Sequence, residues 1–353
     1  MSDTTAEPDA LLRHGPDELL RHHGDVEVES GFVDFAVNVR GDGPPAWLRD
    51  RLATALSSLG SYPSAAAEYA AREQVAALHG RSPDEVLLLS GGAEGFSMLP
   101  RLEPQLAATI HPSFTEPDWV LEQAGVPVHR VILPVPFVLD PTLVPDAADM
   151  VIIGNPTNPT SVLHPRETVL SLRRPGRTVV VDEAFADAVL GAGESVASQR
   201  LEDVVVLRSL TKTWALAGLR CGYALGHPDV LARMQHGRAH WPLGTLQIEA
   251  IRACTEPFAA QQARAEAERI DCERTEMIRR LGDLGLSVAG PARAPYLLIR
   301  LDDADLVRER LRTMGIAVRR GDTFPGLDRH YLRVAVRDSQ QVDILVDALN
   351  TVL

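Results

Sequence analysis

Short, continuous apolar segments recur along the first two thirds of the chain, and stretches with helical periodicity separate them. The clearest segments lie at residues 86–89, 107–110, 150–153, 178–181 and 204–207. A strand without polar alternation is apolar on both faces, which is typical of strands that helices cover on both sides. This feature predicts an α/β fold built on a mostly parallel sheet.

The rest of the sequence predicts three regions. Residues 1–45 form an N-terminal arm that is polar and largely irregular at its start. Residues 46–244 form a large domain that contains the sheet, with an early helix whose N-cap is Ser64. Residues 245–353 begin with one long helical stretch, over residues 245–284, and continue as a smaller C-terminal α+β domain.

The composition is that of an acidic globular protein. Hydrophobic residues make up 45% of the 353 residues and charged residues 24%, as in a folded rather than a disordered chain. The 35 basic and 48 acidic residues give a formal net charge of −13, which argues against binding to nucleic acid. An anionic substrate would therefore need a local cluster of arginines.

The three cysteines, Cys221, Cys254 and Cys272, are far apart and form no CxxC pair. This pattern favours a reducing cytoplasm over a disulfide framework, and it gives no zinc site, so no metal is expected. The first residues contain no basic region followed by an apolar core, and no apolar run approaches the ~20 residues of a membrane span. We therefore expect a soluble cytoplasmic protein without a membrane partner.

A single lysine, Lys212, accompanies the arginines that make up the rest of the basic residues. An arginine stays protonated, whereas a desolvated lysine can form a Schiff base. A solvent-exposed lysine without a function is the simpler interpretation. Lys212 follows an apolar strand, however, and ligands of open α/β sheets bind at the carboxyl ends of strands. Ser209, Thr211 and Arg220 lie close by in sequence and suit a phosphate group beside an imine-forming amine.

Other candidates also follow predicted strands. Asp182 could hold the nitrogen of a pyridine ring protonated, as pyridoxal phosphate (PLP) needs, or could be a solvated loop carboxylate. Gly92 and Ala93 would let backbone N–H groups approach a phosphate, although many βα turns are rich in glycine. Asn158 lies in an Asn-Pro-Thr-Asn-Pro segment that could be an ordinary turn, and Phe114 taken alone would be a core residue.

Taken in order, the segments Gly-Gly-Ala-Glu, Asn-Pro-Thr-Asn-Pro, Asp-Glu-Ala and Ser-Leu-Thr-Lys, then Ala-Gly-Leu-Arg, make the chain resemble the fold-type-I PLP enzymes. It resembles the histidinol-phosphate aminotransferase branch most. The resemblance implies a seven-stranded sheet, PLP as cofactor, Lys212 as its imine partner and Asp182 as the partner of its ring nitrogen. It also implies a homodimer, in which Tyr62 reaches the cofactor of the partner subunit. The remaining cofactor-binding residues that it implies are Gly92, Ala93, Phe114, Asn158, Ser209, Thr211 and Arg220.

Within this branch, some details are similar to threonine-phosphate decarboxylase of cobalamin biosynthesis. They are the segments at 33–38 and 324–328, and Phe185, where the aminotransferases carry tyrosine. This resemblance implies decarboxylation of L-threonine O-3-phosphate to aminopropanol phosphate. The alternative is an aminotransferase that acts on an amino-acid phosphate such as histidinol phosphate, or on an aromatic amino acid. A PLP-binding regulatory domain is a third hypothesis. The substrate-binding residues that the resemblance implies are His23, Gly24, Asn38, Asn158, Arg319 and Arg333.

Four positions depart from the patterns of these relatives. Asp25 and Ser161 stand where glycine is expected, and Ser64 stands where aspartate is common. Gly244 ends a segment that lacks an expected asparagine. None of the four belongs to the predicted PLP site, so they bear on the substrate rather than on the cofactor.

Overall fold

A seven-stranded sheet forms the centre of the protein. The computed structural model describes residues 20–22, 24–191 and 193–353. Strand β1, Val33–Asp34, pairs outside this sheet. The strands of the large sheet are β2 Val86–Leu89, β3 Ala107–His111, β4 Val128–Ile132, β5 Met150–Gly154, β6 Thr178–Asp182, β7 Val204–Ser209 and β8 Gly222–Leu225. They lie in the order β2–β8–β7–β6–β5–β3–β4, and only β8 runs antiparallel to its neighbours. The predicted α/β fold is confirmed.

Helices cover both faces of the large sheet, which explains why its central strands are apolar throughout. All five residues of β3 and of β5 are buried. One face packs against the helices Ala46–Ala55, Ala65–His79 and Thr245–Cys254, and the other against Gly92–Met98, Glu116–Gln123 and Pro228–Met234. A short helix, Arg166–Leu170, lies between β5 and β6.

The helix Ala65–His79 begins directly after its predicted N-cap, Ser64. The hydroxyl of Ser64 accepts a hydrogen bond from the N–H of Ala67 at 3.1 Å, which satisfies a donor that the first turn leaves unpaired. Gly80 ends the helix with φ +65°, a left-handed conformation that glycine adopts without strain.

Two strands of the large sheet were not among those predicted from apolar segments. β4 lies at the edge of the sheet, where only Val131 of its five residues is buried, so polar residues interrupt its apolar pattern. β8 is short and starts at Gly222, a residue type that normally argues against a strand. A Cβ at Gly222 would lie 2.6 Å from the carbonyl oxygen of Arg208, so the close approach of two backbones requires glycine there.

The C-terminal part contains a second, smaller sheet. Its antiparallel strands are β9 Ser287–Val288, β10 Tyr296–Arg300, β12 Arg319–Arg320 and β13 Tyr331–Ala335, in the order β12–β13–β10–β9. Strand β11, Ile316–Ala317, instead pairs in parallel with β1. The helices that pack with these strands are Pro257–Asp283, Ala304–Thr313 and Ser339–Val352. The N-terminal segment thus joins the core of the C-terminal part.

The prediction of one helical stretch over residues 245–284 is wrong. The structure has two helices there, Thr245–Cys254 and Pro257–Asp283. Proline lacks the N–H that continues a helix and favours the first position of a new one, which explains the break. The first helix packs on the core of the large sheet. The proposed division into residues 1–45, 46–244 and 245–353 stays a prediction.

Candidate active site

A cavity of about 530 Å³ opens at the carboxyl ends of β5, β6 and β7, opposite strands β12 and β13 of the smaller sheet. A volume of this size suits a cofactor together with a small substrate. Almost all the candidate residues that the structure describes line it. They are Gly24, Asn38, Gly92, Ala93, Phe114, Asn158, Asp182, Ser209, Thr211, Lys212, Arg220, Arg319 and Arg333.

Lys212 lies on a short turn directly after β7. The carbonyl of Leu210 accepts a hydrogen bond from the N–H of Trp214 at 3.2 Å, which closes this turn. The Nζ atom of Lys212 lies 5.9 Å from the centre of the Phe185 ring. The strand end and the ring therefore hold the amine at the wall of the cavity, within reach of a bound molecule.

Asp182 ends β6, and its carboxylate lies at the floor of the cavity. Burial raises its pKa to about 6, while a hydrogen bond from the N–H of Ala184, 3.0 Å away, and the charge of Lys212 oppose the increase. Burial disfavours the charged form of a carboxylate unless a cation or donor faces it. A protonated pyridine nitrogen is a partner of this kind, so Asp182 suits the ring of PLP.

Small residues and hydroxyl groups form one end of the cavity. Gly91 has φ +80°, and a Cβ there would lie 2.9 Å from Nη2 of Arg220, so only glycine lets this guanidinium approach. A Cβ at Gly92 would meet nothing within 4 Å, so the backbone faces open space. The Oγ1 of Thr211 is buried and has no hydrogen-bond partner among the described residues. With Ser209, these groups fit the phosphate of PLP.

Arg319 and Arg333 face the cavity from β12 and β13. Both are buried, and within the described part of the chain neither forms an ion pair with a carboxylate. Burial lowers the pKa of Arg319 to about 10 and that of Arg333 to about 9. Two buried guanidinium groups without a counter-ion favour an anionic ligand.

Neutral groups hold these two arginines in place. Nη1 of Arg333 donates to the Oδ1 of Asn158 at 2.7 Å, and its Nη2 donates to the carbonyl of Ala36. Nη2 of Arg319 donates to the carbonyl of His22 at 2.7 Å and to the hydroxyl of Thr323 at 2.6 Å. Neutral acceptors therefore fix the two guanidinium groups in place, and their positive charge remains available to an anionic ligand.

Two further candidates sit close to the arginines. Both polar side-chain atoms of Asn38 are buried without a partner among the described residues, which suits a residue that binds substrate. A Cβ at Gly24 would lie 2.4 Å from the carbonyl oxygen of Ala36 and 3.5 Å from Nη2 of Arg333. Only glycine fits there, and this close approach brings the N-terminal segment against the cavity.

One of the described candidates does not line the cavity. Tyr62 is 75% exposed and stacks on Trp241, with 4.3 Å between the ring centres, so it does not reach the cavity of its own subunit. His23 lies outside the described residues. The role predicted for Tyr62, toward a partner subunit, stays a prediction.

Sequence reasoning missed Arg21 and His22, which also line the cavity. The carbonyl of Leu20 accepts from the hydroxyl of Thr115, and the guanidinium of Arg21 lies 4.2 Å from the ring centre of Trp119. These contacts join residues about a hundred positions apart, so no local pattern in the sequence could indicate them.

A buried charged network supports the loop after Asp182. Nη1 of Arg208 donates to Oε2 of Glu183 at 2.8 Å, and its Nη2 donates to Asp187. The hydroxyl of Ser195 donates to the same Glu183 oxygen at 2.6 Å. Buried charges remain stable when they are paired and hydrogen-bonded in this way.

The structure explains three of the four departures from related sequences. Ser161 adopts φ +65° and keeps this conformation by accepting a hydrogen bond from the N–H of Ala294 at 2.8 Å. Ser64 caps a helix, as aspartate would. Gly244 begins the helix Thr245–Cys254 with its N–H donating to Gln247 at 2.7 Å. Nothing is described for the side chain of Asp25.

The described residues offer neither a membrane-spanning helix nor a metal site. No helix among them is long and apolar enough to cross a membrane. No group of three or more His, Cys, Asp or Glu side chains in residues 20–22, 24–191 and 193–353 is arranged to hold a metal ion.

Comparisons with known proteins extend these observations. A family model described as "Aminotransferase class I and II" matches residues 30–349. A histidinol-phosphate aminotransferase of Mycobacterium tuberculosis is 56% identical over 93% of this chain and 90% of its own length. A threonine-phosphate decarboxylase of Salmonella typhimurium is 31% identical over 91% of each chain. A crystal structure of histidinol-phosphate aminotransferase from Sinorhizobium meliloti, in complex with pyridoxal-5'-phosphate, superimposes with a TM-score of 0.79 over 99% of this chain and 98% of its own, at 21% identity.

These comparisons overturn the predicted decarboxylation of threonine phosphate. The relative at 56% identity is a histidinol-phosphate aminotransferase, whereas the decarboxylase is only 31% identical. The prediction rested on Phe185 and on short segments near the arginines. A decarboxylase and an aminotransferase for phosphorylated substrates both need a PLP site and an anion site, so residues at these sites cannot tell the two reactions apart.

Proposed function

The chain belongs to the class I and II aminotransferases, and we propose that it transfers an amino group between an amino-acid phosphate of the histidinol-phosphate type and a keto acid. PLP is its cofactor, as in the enzymes of this family. The observation that carries the substrate proposal is the 56% identity to a histidinol-phosphate aminotransferase over nearly the whole length of both chains.

PLP supplies an aldehyde that condenses with amines and a ring that accepts the electrons released when a Cα–H bond breaks. We assign its phosphate to the hydroxyl groups of Ser209 and Thr211, the guanidinium of Arg220 and the backbone N–H groups of Gly92 and Ala93, because these donors line one end of the cavity. These donors would bind the phosphate through charge-assisted hydrogen bonds and would so fix the position of the ring in the cavity.

Three side chains would orient the ring. The Asp182 carboxylate would hold a proton on the ring nitrogen, and Phe114 would pack against the ring. Asn158 would bind the ring, and its Oδ1 accepts from Arg333 at 2.7 Å, which would couple the cofactor site to the anion site. The Nζ of Lys212 would bind the cofactor in the resting enzyme and would move a proton to and from Cα of the substrate.

Arg319, Arg333 and Asn38 would bind the anionic end of the substrate. We expect Arg319→Ala and Arg333→Ala each to weaken binding of the phosphorylated substrate by about 10- to 150-fold, because a hydrogen bond to a charged group contributes about 1.5–3 kcal/mol. PLP content should not change, because neither arginine lies at the end of the cavity assigned to the cofactor phosphate. Titration of the substrate against the holoenzyme's visible spectrum measures both quantities.

Arg300→Ala is the matched control, because this arginine lies on the neighbouring strand β10 with its side chain exposed. It should bind substrate as the wild type does. Equal affinities for Arg319→Ala, Arg333→Ala and the wild type would contradict an anion site at these two residues.

The reaction itself is tested by incubating the holoenzyme with histidinol phosphate and 2-oxoglutarate. Glutamate should form, and omission of the keto acid should limit the reaction to one turnover. Histidinol without its phosphate should react much more slowly, because Arg319 and Arg333 would lose their ligand. Failure to form glutamate from histidinol phosphate would contradict the proposal, and a preference for an aromatic amino acid would change the proposed substrate.

We further propose a homodimer, supported by an exposed apolar patch around Tyr62. Leu56 and Leu59 are each 53% exposed, and Tyr62 and Trp241 are more exposed still. An apolar patch of this kind commonly marks a protein interface. Sedimentation should show a dimer, and Tyr62→Phe should weaken PLP binding if the hydroxyl reaches the partner's cofactor. A fully active monomer would refute the dimer.

We also propose the cytoplasm as the location. Cys221, Cys254 and Cys272 are all free thiols in the structure, as expected in a reducing compartment. Fractionation of the source cells, followed by immunodetection, tests this assignment.

A further inference from the structure

His111 and Asp182 end two strands of the large sheet that are separated by one strand. β3 pairs with β5 up to Thr109 beside Ile152, and β5 pairs with β6 up to Gly154 beside Asp182. If the register of β3 and β5 is extended by two residues beyond Thr109 and Ile152, His111 lies beside Gly154. His111, Gly154 and Asp182 then lie in one row across the three strands. Side chains in one row of a parallel sheet point to the same face. His111 and Asp182 therefore stand on either side of a residue without a side chain.

A chamber of about 10 Å³ lies in this gap. Its walls include His111, Ser113, Phe114, Gly154 and Asp182. One buried water needs about this volume and two to four polar partners. Imidazole, hydroxyl and carboxylate groups supply such partners here. A Cβ at Gly154 would lie 3.5 Å from the Oγ of Ser113, so a methyl group would occupy the chamber in ordinary contact with its wall.

The imidazole of His111 is held at its Nε2 by Asp118, which also lines the chamber. This nitrogen lies 3.0 and 3.2 Å from the two carboxylate oxygens of Asp118 and 3.1 Å from Oγ1 of Thr109. An ionised carboxylate can only accept, so Nε2 donates to Asp118. Asp118 also accepts from Nε of Arg130 at 2.6 Å. The Nδ1 of His111 is fully buried and has no partner in the described part of the chain. Buried polar atoms of proteins are nearly always hydrogen-bonded, so Nδ1 indicates a ligand that the chain itself does not supply.

We propose that one water molecule binds in this chamber and donates hydrogen bonds to Nδ1 of His111 and to the carboxylate of Asp182. Through this water, the Asp118–His111 pair keeps Asp182 oriented and negatively charged, so His111 is a positioning residue for the cofactor ring. The N–H of Ala184 already donates to Oδ1 of Asp182, which leaves Oδ2 for the water. The inference rests on the role proposed above for Asp182 and does not depend on the substrate.

The charges around the chamber show why such a donor matters. Burial raises the pKa of Asp182 to about 6. The charge of Glu183 also raises this pKa, whereas the charge of Lys212 lowers it. The phenol of Tyr296 also interacts electrostatically with this carboxylate. A hydrogen bond donated by water favours the ionised form and so keeps Asp182 charged near neutral pH.

Asp118, which lines the same chamber, and its partners surround the Nε2 end of His111. Burial would raise the pKa of Asp118, but the hydrogen bond from His111 and the guanidinium of Arg130 lower it below its usual value. Glu122 pairs with the same Arg130 through its Nη2. Asp118 is thus a stable carboxylate, and His111 is its donor.

Pyridoxamine 5′-phosphate is a suitable probe, because it has the ring nitrogen and phosphate of PLP but cannot condense with Lys212. Calorimetry measures its binding to the full chain, freed of PLP, across the acidic and neutral pH range. Binding should weaken on the acid side as Asp182 takes up a proton. The titration of the probe itself is common to all variants and cancels when they are compared.

His111→Phe removes the acceptor, and Gly154→Ala fills the chamber. Each should move the acid midpoint of binding upward by about one pH unit, as expected for the loss of one hydrogen bond to a charged group. His111→Gln should restore the wild-type midpoint, because its amide can donate to Asp118 and still accept from the water. A purely structural defect would lower affinity equally at every pH.

Gly226→Ala is the matched control. It adds a methyl group just after β8, where a Cβ would lie 3.4 Å from Cδ2 of Leu231, and it should leave the midpoint unchanged. An unchanged midpoint in both His111→Phe and Gly154→Ala, or a loss that is equal at every pH, overturns the proposal. Asp182→Asn tests the premise separately. If this variant keeps the wild-type midpoint, the role of Asp182 fails, and the water-mediated link fails with it.

Discussion

Replacement of Lys212 by arginine is expected to abolish amino-group transfer, with turnover lower by about 10³-fold or more. Arginine keeps the positive charge, but its guanidinium neither condenses with an aldehyde nor gives up its proton near neutral pH. The variant therefore loses the covalent hold on the cofactor and the proton transfer at Cα together. Steady-state turnover and the visible absorbance of the purified variant measure the two losses.

The same lysine offers a second measurement. Because Lys212 is the only lysine in the chain, borohydride reduction of the holoenzyme should attach the cofactor to one peptide. Arg300→Lys adds an exposed lysine on β10 and serves as a control for non-specific labelling. A wild-type absorbance band in the Lys212→Arg variant would show that another group holds the cofactor.

Asp182→Asn is expected to lower turnover by about 10- to 150-fold or more. This range corresponds to the free energy of one charge-assisted hydrogen bond, about 1.5–3 kcal/mol. A neutral amide cannot keep the ring nitrogen protonated, so the ring accepts electrons less readily as well. The phosphate end of the cavity is untouched, and PLP should still bind. Turnover and cofactor content, measured on the same preparation, separate the two effects.

Asp149→Asn is the matched control, because this carboxylate lies just before β5, at the opposite end of the sheet, and accepts from backbone N–H groups there. It should leave turnover intact. Burial raises the pKa of Asp182 to about 6, so acidification through that value should weaken the wild type's hold on the cofactor ring. Full turnover in Asp182→Asn with bound PLP would contradict the assignment.

Much of the fold could be predicted because its central strands are buried on both faces. Continuous apolar segments mark β3, β5, β6 and β7, and the carboxyl ends of these strands then indicate where Asp182 and Lys212 lie. The edge strand β4 has no continuous apolar segment, because several of its side chains face solvent and can be polar. The break before Pro257 was also missed, although proline is a helix-start signal, because the residues on both sides favour helix.

The residues that sequence reasoning missed act at long range. His111 is important only because β5 places Gly154 between it and Asp182, and strand order cannot be predicted from a single strand. His22 reaches the cavity because its carbonyl accepts from Arg319, nearly three hundred residues later. Local patterns indicate secondary structure and strand-end chemistry, whereas the walls of the cavity depend on tertiary contacts.

The pairing of β1 with β11 bears on the order in which the chain can fold during synthesis. Val33 donates to the carbonyl of Gly315 at 2.8 Å, and Phe35 donates to that of Ala317 at 2.8 Å. Protein chains generally fold from the N-terminus as they leave the ribosome. Here, the first strand must wait until Ile316 and Ala317 have been synthesised. The N-terminal wall of the cavity cannot form before then, and nascent chains shorter than about residue 317 cannot complete the cavity.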